Sequence, residues 1–291
     1  MDPALFAFAL GMGSAVTLAA ANTFVKAARD ILGARTVMTA TGSVLMLPFL
    51  FVVPFPAPAT WGFLALSLPA HWLYQTALVR AMSRGDLSLV FPIMRGSAPL
   101  LTALAAAAVL LGEHLPPVAM LGLAIASLAT VVFALPEKNF GGSRRVRNSA
   151  VLWALATGAG IAVYNVIDAQ GVRSALATTG TQWSFIVWLF ALDWIGITTI
   201  MMLTRGPREF VRSARRALGL GLCAGSCSTI SFSMALYGFS VAPVAYMSAM
   251  RETAVVFAAI MGWWFLREGF GARRTLAAIV LAAGLCLLQF S

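Results

Sequence analysis

The feature that most constrains this chain is a succession of apolar runs, each about 20 residues long, separated by short polar or proline-marked breaks. Wound as an α-helix at about 1.5 Å per residue, such a run crosses the roughly 30 Å of hydrocarbon in a bilayer. None of the runs alternates apolar with polar residues, as the strands of a membrane barrel would. Ten can be bounded, at about 4–24, 36–53, 60–82, 87–111, 117–135, 150–170, 181–203, 217–239, 242–266 and 271–289. Pro54-Phe55-Pro56-Ala57-Pro58 marks one turn and Pro116-Pro117 another. The expected fold is an all-α membrane protein with ten transmembrane helices.

Of the 291 residues only 10% are charged and 60% are hydrophobic, where a soluble domain would carry about 25% charged residues. The formal net charge is +10, and its placement is informative. Lys26, Arg29 and Arg35 fall between the first two spans, and Arg80 and Arg84 between the third and fourth. Lys138, Arg144, Arg145 and Arg147 follow the fifth span, Arg205, Arg208, Arg212, Arg215 and Arg216 the seventh, and Arg267, Arg273 and Arg274 the ninth. The alternate breaks hold only Arg173. The positive-inside rule then puts the odd-to-even loops in the cytoplasm and both termini outside, in a bacterial-type plasma (inner) membrane. Anionic headgroups account for this charge, so lipid rather than nucleic acid is the expected partner.

Met1-Asp2-Pro3-Ala4 lacks the basic start of a signal peptide, so the first span is expected to remain in the mature protein. Cys223, Cys227 and Cys286 form no disulfide framework. Cys223 and Cys227 stand one helical turn apart with no His, Asp or Glu near them in sequence, which reads as small apolar packing rather than a metal site. No cofactor is expected.

The polar stretch 136–149 divides five spans from five, giving repeats at 1–137 and 149–291. Ala77-Leu78, Arg95 and Gly112-Glu113 follow one another in the first, as Ala235-Leu236, Arg251 and Arg267-Glu268 do in the second. Asn22 in the first span corresponds to Asn165 in the sixth. An odd number of spans per unit inserts the second unit upside down. Two inverted five-helix repeats are the plan of many secondary transporters, whose substrate site lies near the midplane between repeats.

Several segments bear a family likeness. Asn22-Thr23-Phe24-Val25-Lys26 resembles a first-helix signature, although Ala20-Ala21 stands where a Trp-Gly pair is common. Tyr74-Gln75-Thr76-Ala77-Leu78 resembles a third-helix motif, and Pro92 with Leu111-Gly112-Glu113 and Gly122 resembles the fourth and fifth helices. Ala235-Leu236-Tyr237 and Leu266-Arg267-Glu268 echo these in the second half. In this ordered set the chain resembles the drug/metabolite transporter superfamily, in particular its ten-helix EamA-type members. The stretch from Arg84-Gly85-Asp86 to Met94-Arg95-Gly96 is similar to a branch associated with phosphonate utilisation. The resemblance implies a secondary transporter with a central cavity lined by helices one, three, four, six, eight and nine. Its members carry amino acids, nucleotide sugars, phosphosugars and drugs.

Arg95 and Arg251 are the leading candidates for substrate contact. Each lies within about 6 Å of the centre of its span, where a guanidinium is costly unless it faces protein or water. Two roles are open to each: a fork for a carboxylate or phosphate, or a tie to backbone carbonyls or a neighbouring carboxylate that locks two helices. Glu252 is the first candidate for proton coupling, with Asp193 and Asp168, near the end of its span, behind it. Glu252 points about 100° from the adjacent Arg251 on a helix, so the two need not pair. His71, Tyr74, Gln75 and Leu78 are spaced to share one helix face. Asn22 and Asn165 are candidates to line a cavity or to hydrogen-bond between helices.

Glu113 and Glu268, at span ends, read as caps or loop partners. Trp61, Trp153 and Trp183 read as interfacial anchors. Gly221-Leu222-Cys223-Ala224-Gly225 permits close helix contact, and Pro92 and Pro99 are expected to bend the fourth helix.

A secondary transporter of a small polar metabolite, anionic or bearing a carboxylate or phosphonate, is the leading functional expectation. It would work by alternating access as a monomer or homodimer. An exporter of amino acids or drug-like compounds and a non-transporting receptor or assembly protein are alternatives. An intramembrane enzyme is not expected, because neither His71 nor His114 lies in a zinc or nucleophile motif. There is also no Walker A sequence for ATP.

Overall fold

The computed structural model describes residues 3–28, 30–82, 84, 87–109, 115–134, 144–266 and 272–289, and among them it is helical without strands. The helices are α1 (Pro3–Ala27), α2 (Ile31–Met46), α3 (Pro58–Met82), α4 (Leu87–Val109), α5 (Pro117–Ala134) and α6 (Arg144–Thr179). Then follow α7 (Trp183–Val241), α8 (Val244–Glu252), α9 (Ala254–Leu266) and α10 (Ala272–Gln289). Ala4–Ala27, Ile31–Phe51, Asn148–Thr179 and Trp183–Val241 are each long and apolar enough to cross a membrane. Large apolar side chains such as Leu66, Leu73, Leu121, Leu128, Leu152 and Ile279 are exposed, while the buried set is rich in alanine. That distribution suits a solvent as apolar as leucine, in which helices associate through small residues. The chain is a multi-pass helical membrane protein.

Local chemistry sets the helix ends. Asp30 caps α2 by accepting the Gly33 N–H at 3.1 Å. Pro58 and Pro117 open α3 and α5, where a missing N–H costs nothing. A short 3-10 turn, Leu47–Phe51, carries α2 on toward the proline-rich break.

The helices do not reproduce the ten expected spans one for one. The basic stretch 204–216, expected as a loop, is helical on either side of Gly206, so the 59-residue segment α7 is two helices that meet at a kink. At about 1.5 Å per residue α7 would be about 88 Å long if straight, far more than a bilayer. Its break is Gly206, whose φ of 77° and ψ of 164° lie where side chains rarely go. The expected ninth span is divided instead, between α8 and α9 at Thr253. The sixth reaches Thr179 rather than 170, so Asp168 is not near its end and Arg173 is not in a loop. Arg173 donates from Nε to the Phe239 carbonyl at 3.0 Å and from Nη2 to that of Ala242 at 3.4 Å, near the end of α7. Arg29, Glu113, His114, Lys138, Arg267 and Glu268 lie outside the described residues.

Two compact units emerge, and each takes residues from both halves of the chain. The first comprises residues 1–72 and 167–242. In it α1 and α2 both pack on α7. The expected close contact at Gly221 and Gly225 is present: a Cβ there would come within 2.6 Å of Val37 and 2.5 Å of Thr41 on α2. Ser14 on α1 and Ser231 on α7 each donate to the other's backbone carbonyl, at 2.8 and 2.7 Å. Cys223 and Cys227 are free thiols, Cys227 partly buried but Cys223 exposed, so Cys223 does not fill the packing role expected of it.

The second unit comprises residues 73–166 and 243–291. Here α4 packs on α5 and α8, and α5 on α10. Leu123, Ala126, Met250 and Leu281 are among the core residues that join α5, α8 and α10. Trp153 on α6 lies under the guanidinium of Arg80, 4.9 Å from the ring centre, and under that of Arg84.

Candidate functional site

In the second unit, α8 ends at Glu252 and the chain turns at Thr253, whose hydroxyl donates to the Met250 carbonyl at 2.7 Å. That stop sets Arg251 and Glu252 in the last turn of α8, with Arg251 favourably placed against the helix C-terminus. Both are buried, at 8% and 3% exposure. Across from them on α4, Arg95 donates from Nη1 to Oε1 of Glu252 at 3.4 Å. Arg251 lies within electrostatic reach of Tyr164, Arg95, Glu252 and Tyr74. Among the described residues, two guanidiniums and one carboxylate thus come together, Arg251 and Glu252 buried and Arg95 largely so.

Asn165 on α6 extends this cluster. Its Nδ2 donates to Oγ1 of Thr102 and to Oγ of Ser248, each at 3.4 Å. Thr102 stands seven residues after Arg95 on α4, and Ser248 four residues before Glu252 on α8. At 3.6 residues per turn both share the faces that carry the ion pair. Tyr164, beside Asn165, meets Tyr74 of α3 edge-on with ring centres 5.3 Å apart. Gln75 follows Tyr74 and is buried. Oε2 of Glu252, Oδ1 of Asn165 and Oε1 of Gln75 are buried with no hydrogen-bond partner among the described residues.

A separate cluster lies in the first unit. Asp168 is fully buried, and its Oδ2 meets Nε2 of His71 at 2.9 Å while its Oδ1 accepts from the hydroxyl of Ser67. Phe232 packs edge-on against His71 at 5.5 Å. Oδ1 of Asp193 is buried without a hydrogen-bond partner among the described residues, within electrostatic reach of His71, Asp168 and Arg35. Serine and imidazole here both bond to the carboxylate. A nucleophile triad would need the serine on the imidazole, so this order does not activate it. Asn22 lies partly buried on α1 of the same unit.

Of the residues singled out from sequence, Arg95, Arg251, Glu252, Asn165 and Tyr74 come together in the second unit. His71, Asp168 and Asp193 come together in the first. The pairing of Arg95 with Glu252 spans 157 residues and had no local signal. Ser67, Thr102, Tyr164 and Ser248 were also missed. Ser248 could have been found, since it lies one turn before Glu252, but serine is too common in membrane helices for that spacing to stand out. Among the described residues no group of His, Cys, Asp or Glu could hold a metal.

Residues 148–290 match the model of the EamA-like transporter family. Solved structures of similar fold include a crystal structure of a protein 18% identical to this chain, with a TM-score of 0.71 over 99% of this chain and 98% of its own. No curated protein matches. At that identity the structural likeness speaks to the fold alone.

Proposed function

Because the second half of the chain, residues 148–290, belongs to the EamA-like transporter family, a family of membrane transporters, we propose that the protein is a secondary active transporter of a small anionic metabolite. The substrate bears a carboxylate or phosphonate and is held by Arg95 and Arg251. The observation that carries this reading is two guanidiniums at one internal carboxylate, Glu252, with Arg95 bonded to it and the buried Arg251 within electrostatic reach. Among the described residues, two guanidiniums stand beside one carboxylate, a setting that would suit a bound anion. The guanidinium is the cation best matched to a planar carboxylate or a tetrahedral phosphonate.

Supporting this mechanism, the cluster draws α3 and α4 from the first half of the sequence and α6 and α8 from the second. The helix interruption between α8 and α9 lies at its edge, as broken helices do at transporter substrate sites. The pairings of α2 with α7, α5 with α10 and α4 with α8 join corresponding elements of the two halves. They are what a duplicated plan with repeats at 1–137 and 149–291 would generate. Alternating access then opens the arginines first to one side of a bacterial-type inner membrane and then to the other. Glu252, as the arginines' resident counter-ion, is displaced when substrate arrives and takes up or yields a proton in the cycle.

Purified full-length protein tests the reading through its melting temperature, since a ligand that binds the folded state raises it. Succinate and methylphosphonate should raise the melting temperature, and neutral succinamide should not. An equal response to succinamide, or none to either acid, overturns an anion site at Arg95 and Arg251.

A further inference from the structure

We propose that the exposed face of the second helix of α7 binds one anionic phospholipid, its phosphates on Arg208, Arg212, Arg215 and Arg216 and an acyl chain passing Gly219. The lipid that fits carries two phosphodiesters, as a diphosphatidylglycerol does. This site needs only the membrane-spanning fold and draws on none of the residues of the arginine cluster of α4 and α8.

The basic face is fixed by what lies behind it. At about 100° per residue, the four arginines fall within about 100° of one another around the helix. All four are exposed. The opposite side carries Ser213, which bonds Asp30, and Ala217, which packs with Val25, Ala28 and Ala34. A Cβ added to Gly33 would meet Ser213, and one added to Gly221 would meet Val37, so α2 and α7 are in close contact along this side. Turning the arginines inward would break that packing. They therefore stand together at the start of an apolar span, as a platform rather than a loose tail.

The charge on this face suits more than one phosphate. Glu209 is the one carboxylate between residues 204 and 216, and it accepts from Arg212 at 3.2 Å. Asp30, at the same end of the unit, already accepts from Arg205, Ser213 and the Gly33 N–H. Guanidinium forks match phosphate oxygens. Arg208 and Arg212 stand one turn apart, as do Arg212 and Arg216, each pair about 6 Å along the axis. A glycerol bridge between two phosphates spans such a step.

The surface that follows separates a lipid from a soluble polyanion. Gly219 lies on the same face, one turn beyond Arg215, and a Cβ added there would meet nothing within 4 Å. Leu222 and Ile230 farther along are 45% and 49% exposed. Ser226 between them turns its hydroxyl back to the Leu222 carbonyl at 3.1 Å, which suits hydrocarbon outside. The face is thus basic for about two turns and then apolar. A nucleic acid or an acidic protein would complement only the first part. A phospholipid complements both, in this order.

Native mass spectrometry of the delipidated full-length protein tests the site with tetraoleoyl cardiolipin, dioleoylphosphatidylglycerol and dioleoylphosphatidylcholine. One cardiolipin should bind about tenfold or more tightly than phosphatidylcholine, and more tightly than phosphatidylglycerol. Arg215→Gln combined with Arg216→Gln should reduce the preference over phosphatidylcholine to less than about threefold. Gly219→Leu, whose side chain enters open space and whose charge is unchanged, should weaken cardiolipin by about threefold or more. Deacylated cardiolipin should bind at least about tenfold more weakly than the intact lipid. Equal binding of the deacylated form overturns the lipid and leaves a site for soluble phosphates. Equal binding of cardiolipin and phosphatidylcholine overturns the site, as does a preference that survives both sets of substitutions. Phosphatidylglycerol binding as tightly as cardiolipin overturns the assignment of two phosphates. If the double arginine variant does not fold, Gly219→Leu decides alone, and an unchanged cardiolipin affinity there overturns the proposal.

Discussion

Buried charged residues are defined by what occupies each of their polar atoms. Asp168 has both oxygens engaged, by His71 and Ser67, whereas Glu252 has one engaged and one open. Arg95 was conspicuous in the sequence because a guanidinium in an apolar run is costly wherever it lacks a polar surrounding. Its partner was not, because helix periodicity relates residues a turn or two apart and says nothing about a contact between α4 and α8. The sequence left two roles open for Arg95, and the structure shows one of them: it ties α4 to α8 through Glu252. Arg95→Lys separates these roles. The ammonium preserves the charge opposite Glu252 but cannot reproduce a two-pronged contact. Succinate affinity should fall by about tenfold or more, equivalent to about 1.4 kcal/mol, as measured by calorimetry. Undiminished affinity would leave Arg95 a purely structural tie.

Among the elements, apolar length was legible and continuity was not. Ten runs could be counted, yet the seventh and eighth meet at a kink at Gly206 rather than across a loop, and Thr253 splits the ninth. Basic residues look like a loop in sequence, but arginine is a good helix former and prefers the solvent, so 204–216 continues as helix beyond the apolar stretch. The break falls at the one residue there, Gly206, that tolerates its backbone angles. Near that break Arg205 and Ser213 of α7 both reach Asp30, the cap of α2, with Arg205 Nη1 at 2.8 Å from Oδ2. Burial pushes the Asp30 carboxyl up, but the Ser213 hydroxyl, the Gly33 N–H and Arg205 together hold it below the ordinary 3.8. The folded form therefore gains stability from ionised Asp30 at all pH values above the unfolded pKa, and loses it as pH falls through the lower folded value. Asp30→Ala should cost about 1 kcal/mol at neutral pH, mostly through the lost cap, since a partly exposed Arg205 adds little. Thermal melts of the two proteins should converge as pH falls below the lowered folded value, where the carboxylate is protonated in both states. A gap that persists in acid would assign the loss to packing.

For the molecule as a whole, the basic residues give a testable orientation. Finding α6 helical through Thr179 removes Arg173 from the loops altogether and ties it to backbone carbonyls instead. The asymmetry of the remaining basic residues is thereby sharpened. A reporter active only in the periplasm should work when fused after Ser291 and fail when fused after Arg145. The reverse pattern would invert the orientation without touching the arginine cluster. The division into two compact units was not legible in the linear order, because each unit borrows from both halves of the chain. Pairings between distant helices, such as α5 with α10, leave no periodic trace. Within the first unit the mutual serine bonds between α1 and α7 act as a brake on gliding. Sliding one helix past the other by a single residue's rise, about 1.5 Å, would stretch both bonds at once. The two helices are consequently geared to travel together.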